Sequence, residues 1–176
     1  MAAISGIVFA VQMGKFVLGD TDGDIYLGIG GREFFVDSVR DDFEVDTYRE
    51  YLIGGPPIPG SPGVDQVPIL HADINDPRKD FPLDTDDLSR TPVYIRFEPE
   101  DDEDDCAVSF VAALVYTDQF FIAYFTPDRF DHLFLGRRSG KILYLTSELR
   151  GQQGLTFLEA RRQIHAQKGK TNPKSK

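Results

Sequence analysis

Short apolar runs, broken every few residues by Gly and Asp, constrain this chain more than any other feature. Between Ser5 and Ser38 the runs are Ile7-Val8-Phe9-Ala10-Val11, Lys15 to Leu18, Asp24-Ile25-Tyr26-Leu27-Gly28-Ile29 and Glu33-Phe34-Phe35-Val36. Gly14, Gly19-Asp20, Asp22-Gly23 and Gly30-Gly31 separate them and supply the positive-φ and tight-turn positions that strand connections need. The segment therefore predicts successive antiparallel strands. Alternation predicts another strand at Tyr48-Arg49-Glu50-Tyr51-Leu52-Ile53, which stops at Gly54-Gly55-Pro56-Pro57. Residues 54–90 are rich in Pro, Gly and Asp and read as a long surface insertion holding at most a short strand, Val67 to His71.

Strand-like runs resume at Val93 to Phe97, Ala107 to Tyr116, Phe120 to Phe125, Leu133 to Leu135 and Lys141 to Leu145. Thr117-Asp118-Gln119 and Arg138-Ser139-Gly140 fall where hairpin connections would lie. Many short strands at this spacing predict an all-β antiparallel sandwich or barrel. Past Gly154 the pattern changes: Thr156 with Glu159 matches a capping box ahead of a short helix that places Phe157, Ala160 and Ile164 on one face. Lys168 to Lys176 reads by composition as a disordered end. The expected organisation is a sandwich over residues 1–150 with an insertion at 54–90, then a short helix and basic tail over 151–176.

With 176 residues, 41% of them hydrophobic, the chain can bury a core of its own without disulfides or a structural metal. Cys106 is its single cysteine, so no internal disulfide forms. No basic residue precedes the first apolar run, as one would in a secretory signal, and no apolar stretch approaches the roughly 20 residues of a membrane span. A cytoplasmic location is the expectation. Charge narrows the partners. The chain carries 19 basic and 29 acidic residues, yet residues 161–176 hold Arg161, Arg162, Lys168, Lys170, Lys174 and Lys176 with no acid. Setting those six aside leaves 13 basic residues against 29 acids, a net of −16, in the body. Such a body repels nucleic acid and favours cations or basic partners.

The acids cluster in turns. Asp20-Thr21-Asp22-Gly23-Asp24 invites comparison with a calcium loop, but Ile25 stands where an EF-hand needs glycine, so any calcium site must be assembled from several loops. Asp41-Asp42-Phe43-Glu44-Val45-Asp46 and the run from Glu98 to Asp105 also fall between strands. If the three turns share an edge, a cation is the better account of the clustered charge; otherwise they are solvated turns.

Phe9-Ala10-Val11-Gln12-Met13-Gly14 followed by Leu18-Gly19-Asp20-Thr21-Asp22-Gly23-Asp24-Ile25-Tyr26-Leu27 resembles the opening of the PLAT (lipoxygenase-homology) family, whose β-sandwich is related in shape to C2 domains. Asp42-Phe43-Glu44 ahead of a Tyr-rich strand resembles that family's Asn/Asp-x-Phe-Glu segment. Asp104-Asp105-Cys106-Ala107-Val108 resembles its Asp-Trp-x-Leu step, with Cys106 in place of Trp. The chain has no Trp, and the 54–90 insertion is atypical of the family. The resemblance implies a PLAT/C2-like sandwich acting as a non-catalytic binding or adaptor module, with Ca2+ as cofactor. Its ligands would be Asp22, Asp42, Glu44 and Asp105, with the Gly19 carbonyl and with Asp20 and Asp104 as neighbours. The partner would be a protein or a second copy of the chain, or a membrane only with calcium as a bridge.

Enzymatic readings find little to work with. His71, His132 and His165 are scattered, Asp131-His132 is the one suggestive pair, and Cys106 lies among acids that disfavour a thiolate. The basic turn Gly136-Arg137-Arg138-Ser139-Gly140-Lys141 offers Arg137, Arg138 and Lys141 to an anionic partner group, or is simply an exposed turn. A different class of function stays open beside the adaptor, that of a structural subunit of a larger assembly with no metal site.

Overall fold

A computed structural model describes residues 1–15, 21–55, 66–101, 104–126 and 133–171, with side chains of the last helix described as far as Ile164. The chain is mostly β, with two sheets facing each other in a sandwich-like arrangement. Among the described residues eleven strands and two helices run in the order β1 (Gly6–Met13), β2 (Asp24–Ile29), β3 (Arg32–Phe35), β4 (Tyr48–Ile53), β5 (Gln66–Pro68), α1 (Thr85–Arg90), β6 (Tyr94–Glu98), β7 (Cys106–Tyr116), β8 (Phe121–Phe125), β9 (Leu133–Leu135), β10 (Ile142–Tyr144), β11 (Ser147–Arg150) and α2 (Gln152–Thr171). The larger sheet has the order β11-β8-β7-β1-β4-β5, with β9 also paired to β7, and the smaller has the order β10-β6-β2-β3. All pairs are antiparallel except β4 with β5.

The runs at Ile7 to Val11, Asp24 to Ile29 and Glu33 to Val36 do not form a simple meander, and the run from Lys15 to Leu18 lies, beyond Lys15, outside the described residues. β1 leaves for the larger sheet and β2 turns into the smaller one, because apolar side chains on both must meet across the sandwich rather than lie side by side. Ile7, Phe9, Val11 and Met13 of β1 pack in one buried cluster with Ile25, Leu27 and Ile29 of β2 and Ile95 and Phe97 of β6. The intervening Val8 and Ala10 are buried on the opposite face. That face lies beneath α2, which explains why β1 is a continuous apolar run instead of an alternating one.

Helix α2 follows Gly151 at φ +62° and begins at Gln152, ahead of the expected cap; Thr156 is inside it and exposed. Its buried stripe is Gly154, Leu158 and Arg162, while Ala160 and Ile164 point outward. These three recur every four residues, as one helix face requires. A Cβ on Gly154 would lie 3.0 Å from the Leu149 carbonyl oxygen, so glycine brings the first turn close to the sheet. The helical backbone runs through Lys168 and Lys170 to Thr171, further than the expected start of a disordered end.

The insertion at 54–90 also holds more structure than its composition suggests. Asp84 caps α1 by accepting from the Asp86 and Asp87 amides, and Asp87 returns a carboxylate to the Asp84 amide. Arg32 donates to the carbonyl oxygens of Ile74, Asp76, Lys79 and Phe81 at 2.9–3.4 Å and so gathers the loop against β3. The Asn75 side-chain oxygen accepts from the Phe35 amide at 3.1 Å, occupying the outer edge of that strand.

One buried ion pair joins α2 to the sheet. Arg162 Nε and Nη2 donate to Glu50 at 2.7 and 2.5 Å, with the two side chains 6% and 0% exposed. Burial pulls the Arg162 pKa down, but the paired carboxylate outweighs it and leaves the pKa raised. Removing one member strands the other charge in a dry interior. Arg162→Met is therefore expected to cost about 3–5 kcal/mol in urea melts, whereas Glu50→Leu combined with Arg162→Met should cost well under the sum of the single changes.

Candidate functional site

Three sequence-distant turns meet at one end of the sandwich. Asp24 pairs with Glu98, which puts the entry to β2 beside the exit from β6. Gln12 pairs with Tyr48 and Met13 with Val108, which bring the entries to β4 and β7 to the same end. Thr21 and Asp22 from the first turn, Asp41, Asp42 and Glu44 from the second, and Glu100, Asp101 and Asp104 from the third line an open cleft of about 390 Å³.

Its carboxylates divide into two kinds. Asp42 accepts from the Ser38 amide at 2.7 Å, the Ser38 hydroxyl at 2.9 Å and the Tyr51 hydroxyl at 3.0 Å, and pairs with Arg49. Burial, then the charge of Asp42, pushes the Tyr51 pKa up, so the phenol stays a donor. Phe43 follows at φ +60°, buried against Tyr51 with ring centroids 5.5 Å apart, and pins the turn to the core. Asp104 accepts from the Thr21 hydroxyl at 2.7 Å and the Glu100 amide at 3.0 Å, tying the first turn to the third. Gly23 permits that approach, since a Cβ there would lie 2.6 Å from Asp104 Oδ2 and 2.7 Å from the Glu98 carbonyl oxygen. Asp22, Asp41, Glu44 and Glu100, by contrast, are exposed around the rim.

Of the residues singled out in the sequence, Asp22, Asp42, Glu44 and Asp104 come together here. Asp105 does not line the cleft; its carboxylate lies against Gly136 of the basic turn. Gly19 and Asp20 lie outside the described residues, as do Asp131 and His132. Asp41, Glu100 and Asp101 join the lining although only the runs that contain them stood out, and Thr21 enters through a hydroxyl that no charge pattern reveals. Among the described residues no group of three or more His, Cys, Asp or Glu side chains is arranged to hold a metal ion. The acids are spread around an open cleft, with Asp42 and Asp104 already committed to the protein's own donors.

At the basic turn, the Gly136 and Gly140 amides each donate to the other's carbonyl oxygen at 3.0 Å, which leaves Arg137, Arg138 and Lys141 exposed. Locally this is a hairpin tip, but its flanking strands part company: β9 pairs with β7 and β10 with β6. Cys106 is buried, and burial first, then Asp104 and Asp105, pushes its pKa up to about 12. His71 is exposed at φ +52°.

No family model, curated protein or solved structure matches the chain. Among the described residues no helix is long and apolar enough to cross a membrane.

Three outcomes follow from these contacts. Asp42→Ala, which strands Arg49 and the Ser38 and Tyr51 donors, should lower unfolding free energy by about 3 kcal/mol or more. Asp22→Asn and Glu44→Gln should instead raise it by a few tenths of a kcal/mol (roughly 0.2–0.5) in EDTA at low salt, an effect that vanishes in 1 M salt. The Cys106 thiol should resist alkylation at pH 8 until the protein is unfolded, as followed by mass spectrometry.

Proposed function

We propose that the chain is a non-catalytic, PLAT-like binding module whose acidic end takes the basic surface of a protein partner, with calcium modulating that contact. The observation that carries this reading is the meeting of three sequence-distant acidic turns on one open cleft, with Asp22, Asp41, Glu44 and Glu100 exposed around it. Like charges gathered at one rim raise the energy of the empty protein, and a bound cation relieves it. The open shape suits lysine and arginine side chains, or a calcium ion that keeps much of its water shell, better than a bare ion in an all-protein cage. Asp22 and Glu44 are the side chains that would supply carboxylate oxygens to such an ion. The same negative field disfavours nucleic acid, and it makes calcium a requirement for contact with anionic lipid.

A second reading, a structural subunit with no metal, is favoured by one observation: Asp42 and Asp104 already hold the three turns together through the protein's own donors. Thermal melts in EDTA and then in millimolar calcium separate the two. Under the first reading, calcium at 100 times its Kd stabilises the native state by about 2.7 kcal/mol, and Asp22→Asn with Glu44→Gln abolishes the gain. A lysine-rich peptide should shift the amides of the same turns and lose affinity as salt rises. Unchanged melts and unmoved amides with both probes, together with a discrete oligomer by light scattering, would leave the structural subunit as the reading.

A further inference from the structure

The outer faces of the two sheets differ. Helix α2 packs on the larger sheet, against β7, β8 and β11. On the smaller sheet the outward side chains are aromatic: Tyr26, Phe35 and Tyr94 are half-buried and Tyr144 is 51% exposed. One row across the strands sets Tyr144, Tyr94, Gly28 and Glu33 side by side. Because Gly28 has no side chain, the Tyr94 ring lies down on it; a Cβ there would fall 2.2–2.5 Å from three atoms of that ring. The Tyr94 hydroxyl donates to Glu33 at 3.0 Å, which fixes the far end of the ring and leaves its upper face toward solvent. Tyr144 stands beside it, edge-on, with centroids 6.0 Å apart and planes at 65°. Covering a strand glycine accounts for the posture of Tyr94. It gives no task to Tyr144, whose hydroxyl has no hydrogen-bond partner among the described residues.

The hydrogen-bonding groups of this face select what can lie on it. Asp24, Glu33 and Glu98 are exposed acceptors. Arg96 is the charged donor among them, and its Nε, Nη1 and Nη2 already donate to Glu33 and Glu98 at 2.7–2.8 Å. A phosphate, a sulfate or a proline-rich segment would bring further acceptors to a face already rich in them. A lysine or arginine would bring donors, but Arg96 holds the cation's place, 4.0 Å over the Tyr26 ring and between the two glutamates. A second copy would set these carboxylates against their own equivalents. A neutral ligand with a flat C–H face and many hydroxyls meets each condition. We infer that the Tyr94 platform binds a glucose-type pyranose ring of a neutral oligosaccharide. The axial C–H bonds of the sugar rest on the electron-rich face of Tyr94, Tyr144 walls one side, and a sugar hydroxyl donates to Glu33. Asp24 and Glu98, at the acidic end, lie roughly 13 Å further along the strands, so the platform acts without calcium and independently of the cleft's ligand.

Cellohexaose and maltohexaose, titrated into the full chain in EDTA and followed by amide NMR, test this. At least one is expected to shift the Gly28, Glu33, Tyr94 and Tyr144 amides at millimolar concentration while those of Asp22 and Glu44 stay in place. The affinity should be the same at low and high salt, because no charge is exchanged. Tyr144→Ala, at an exposed position, should weaken binding at least about fivefold with the thermal melt unchanged, and Tyr94→Ala at least about tenfold. Tyr94→Phe, which keeps the ring and loses the hydroxyl, should stay within about threefold. No shift with either sugar, shifts confined to the acidic cleft, or an affinity unaltered in Tyr144→Ala and Tyr94→Ala would overturn the inference. A lysine-rich peptide that moves the same four amides and fades with salt would assign the face to a basic protein segment and would overturn it too.

Discussion

The pairing of β1 with β7 is the interaction on which the remaining architecture hangs. These strands lie side by side over most of their length, and successive residues of each enter two different cores. Phe9, Val11, Ala113 and Val115 face the smaller sheet; Val8, Ala10, Ala112 and Leu114 face α2. A one-residue slip would exchange those sets and place large side chains where the helix needs small ones. A register shift between Gln12 and Met13 leaves Ser109 as the extra residue of β7, with its hydroxyl donating to the Gln12 carbonyl oxygen. Beyond it the facing of β7 changes parity, so Val108 and Val111 both point into the inter-sheet core. Through that irregularity one strand serves two neighbours on the same side, β8 along Ala112 to Tyr116 and β9 along Cys106 to Val108.

Burial on both faces of the larger sheet raises the question of how a polar strand position is tolerated. Glu50 is the test case, because it sits on the helix side of β4 with no solvent contact. Its carboxylate takes two hydrogen bonds from Arg162, one from the Tyr48 hydroxyl at 2.7 Å and one from the Gln66 side-chain amide at 3.4 Å. Such a contact adds little net stability over a well-packed apolar pair, but it accepts only one placement of the helix. Arg161 beside it lies over the Phe110 ring at 4.7 Å. Two of the six cations that seemed to belong to a basic tail are thus fastening points for α2.

Local pattern made the strands legible. The runs at Asp24 to Ile29, Tyr48 to Ile53 and Leu133 to Leu135 coincide with strands, because apolar content and flanking Gly or Pro act over a few residues. Sheet membership was not legible, since whether a turn reverses a strand within its sheet or carries it across the sandwich depends on contacts far along the chain. Nor was the helix register: Thr156 and Glu159 have the spacing of a capping box, yet Gly151 starts the helix earlier and Leu158 and Arg162 set its buried face. At the acidic end, the residues followed from charge, but their division into committed and exposed carboxylates did not. Asp42 and Glu44 look alike in the sequence, and only the positions of Ser38, Arg49 and Tyr51 distinguish them.

Arg32 reaches further than the loop it gathers. With the 74–81 segment drawn across β3, the smaller sheet can be extended on one side and not the other. Fibres grow when each added unit presents a fresh edge equivalent to the one it covered, and among the described residues this sheet has no second open edge to present. The guanidinium therefore acts as a terminator, confining any sheet-to-sheet growth through this layer to a single step.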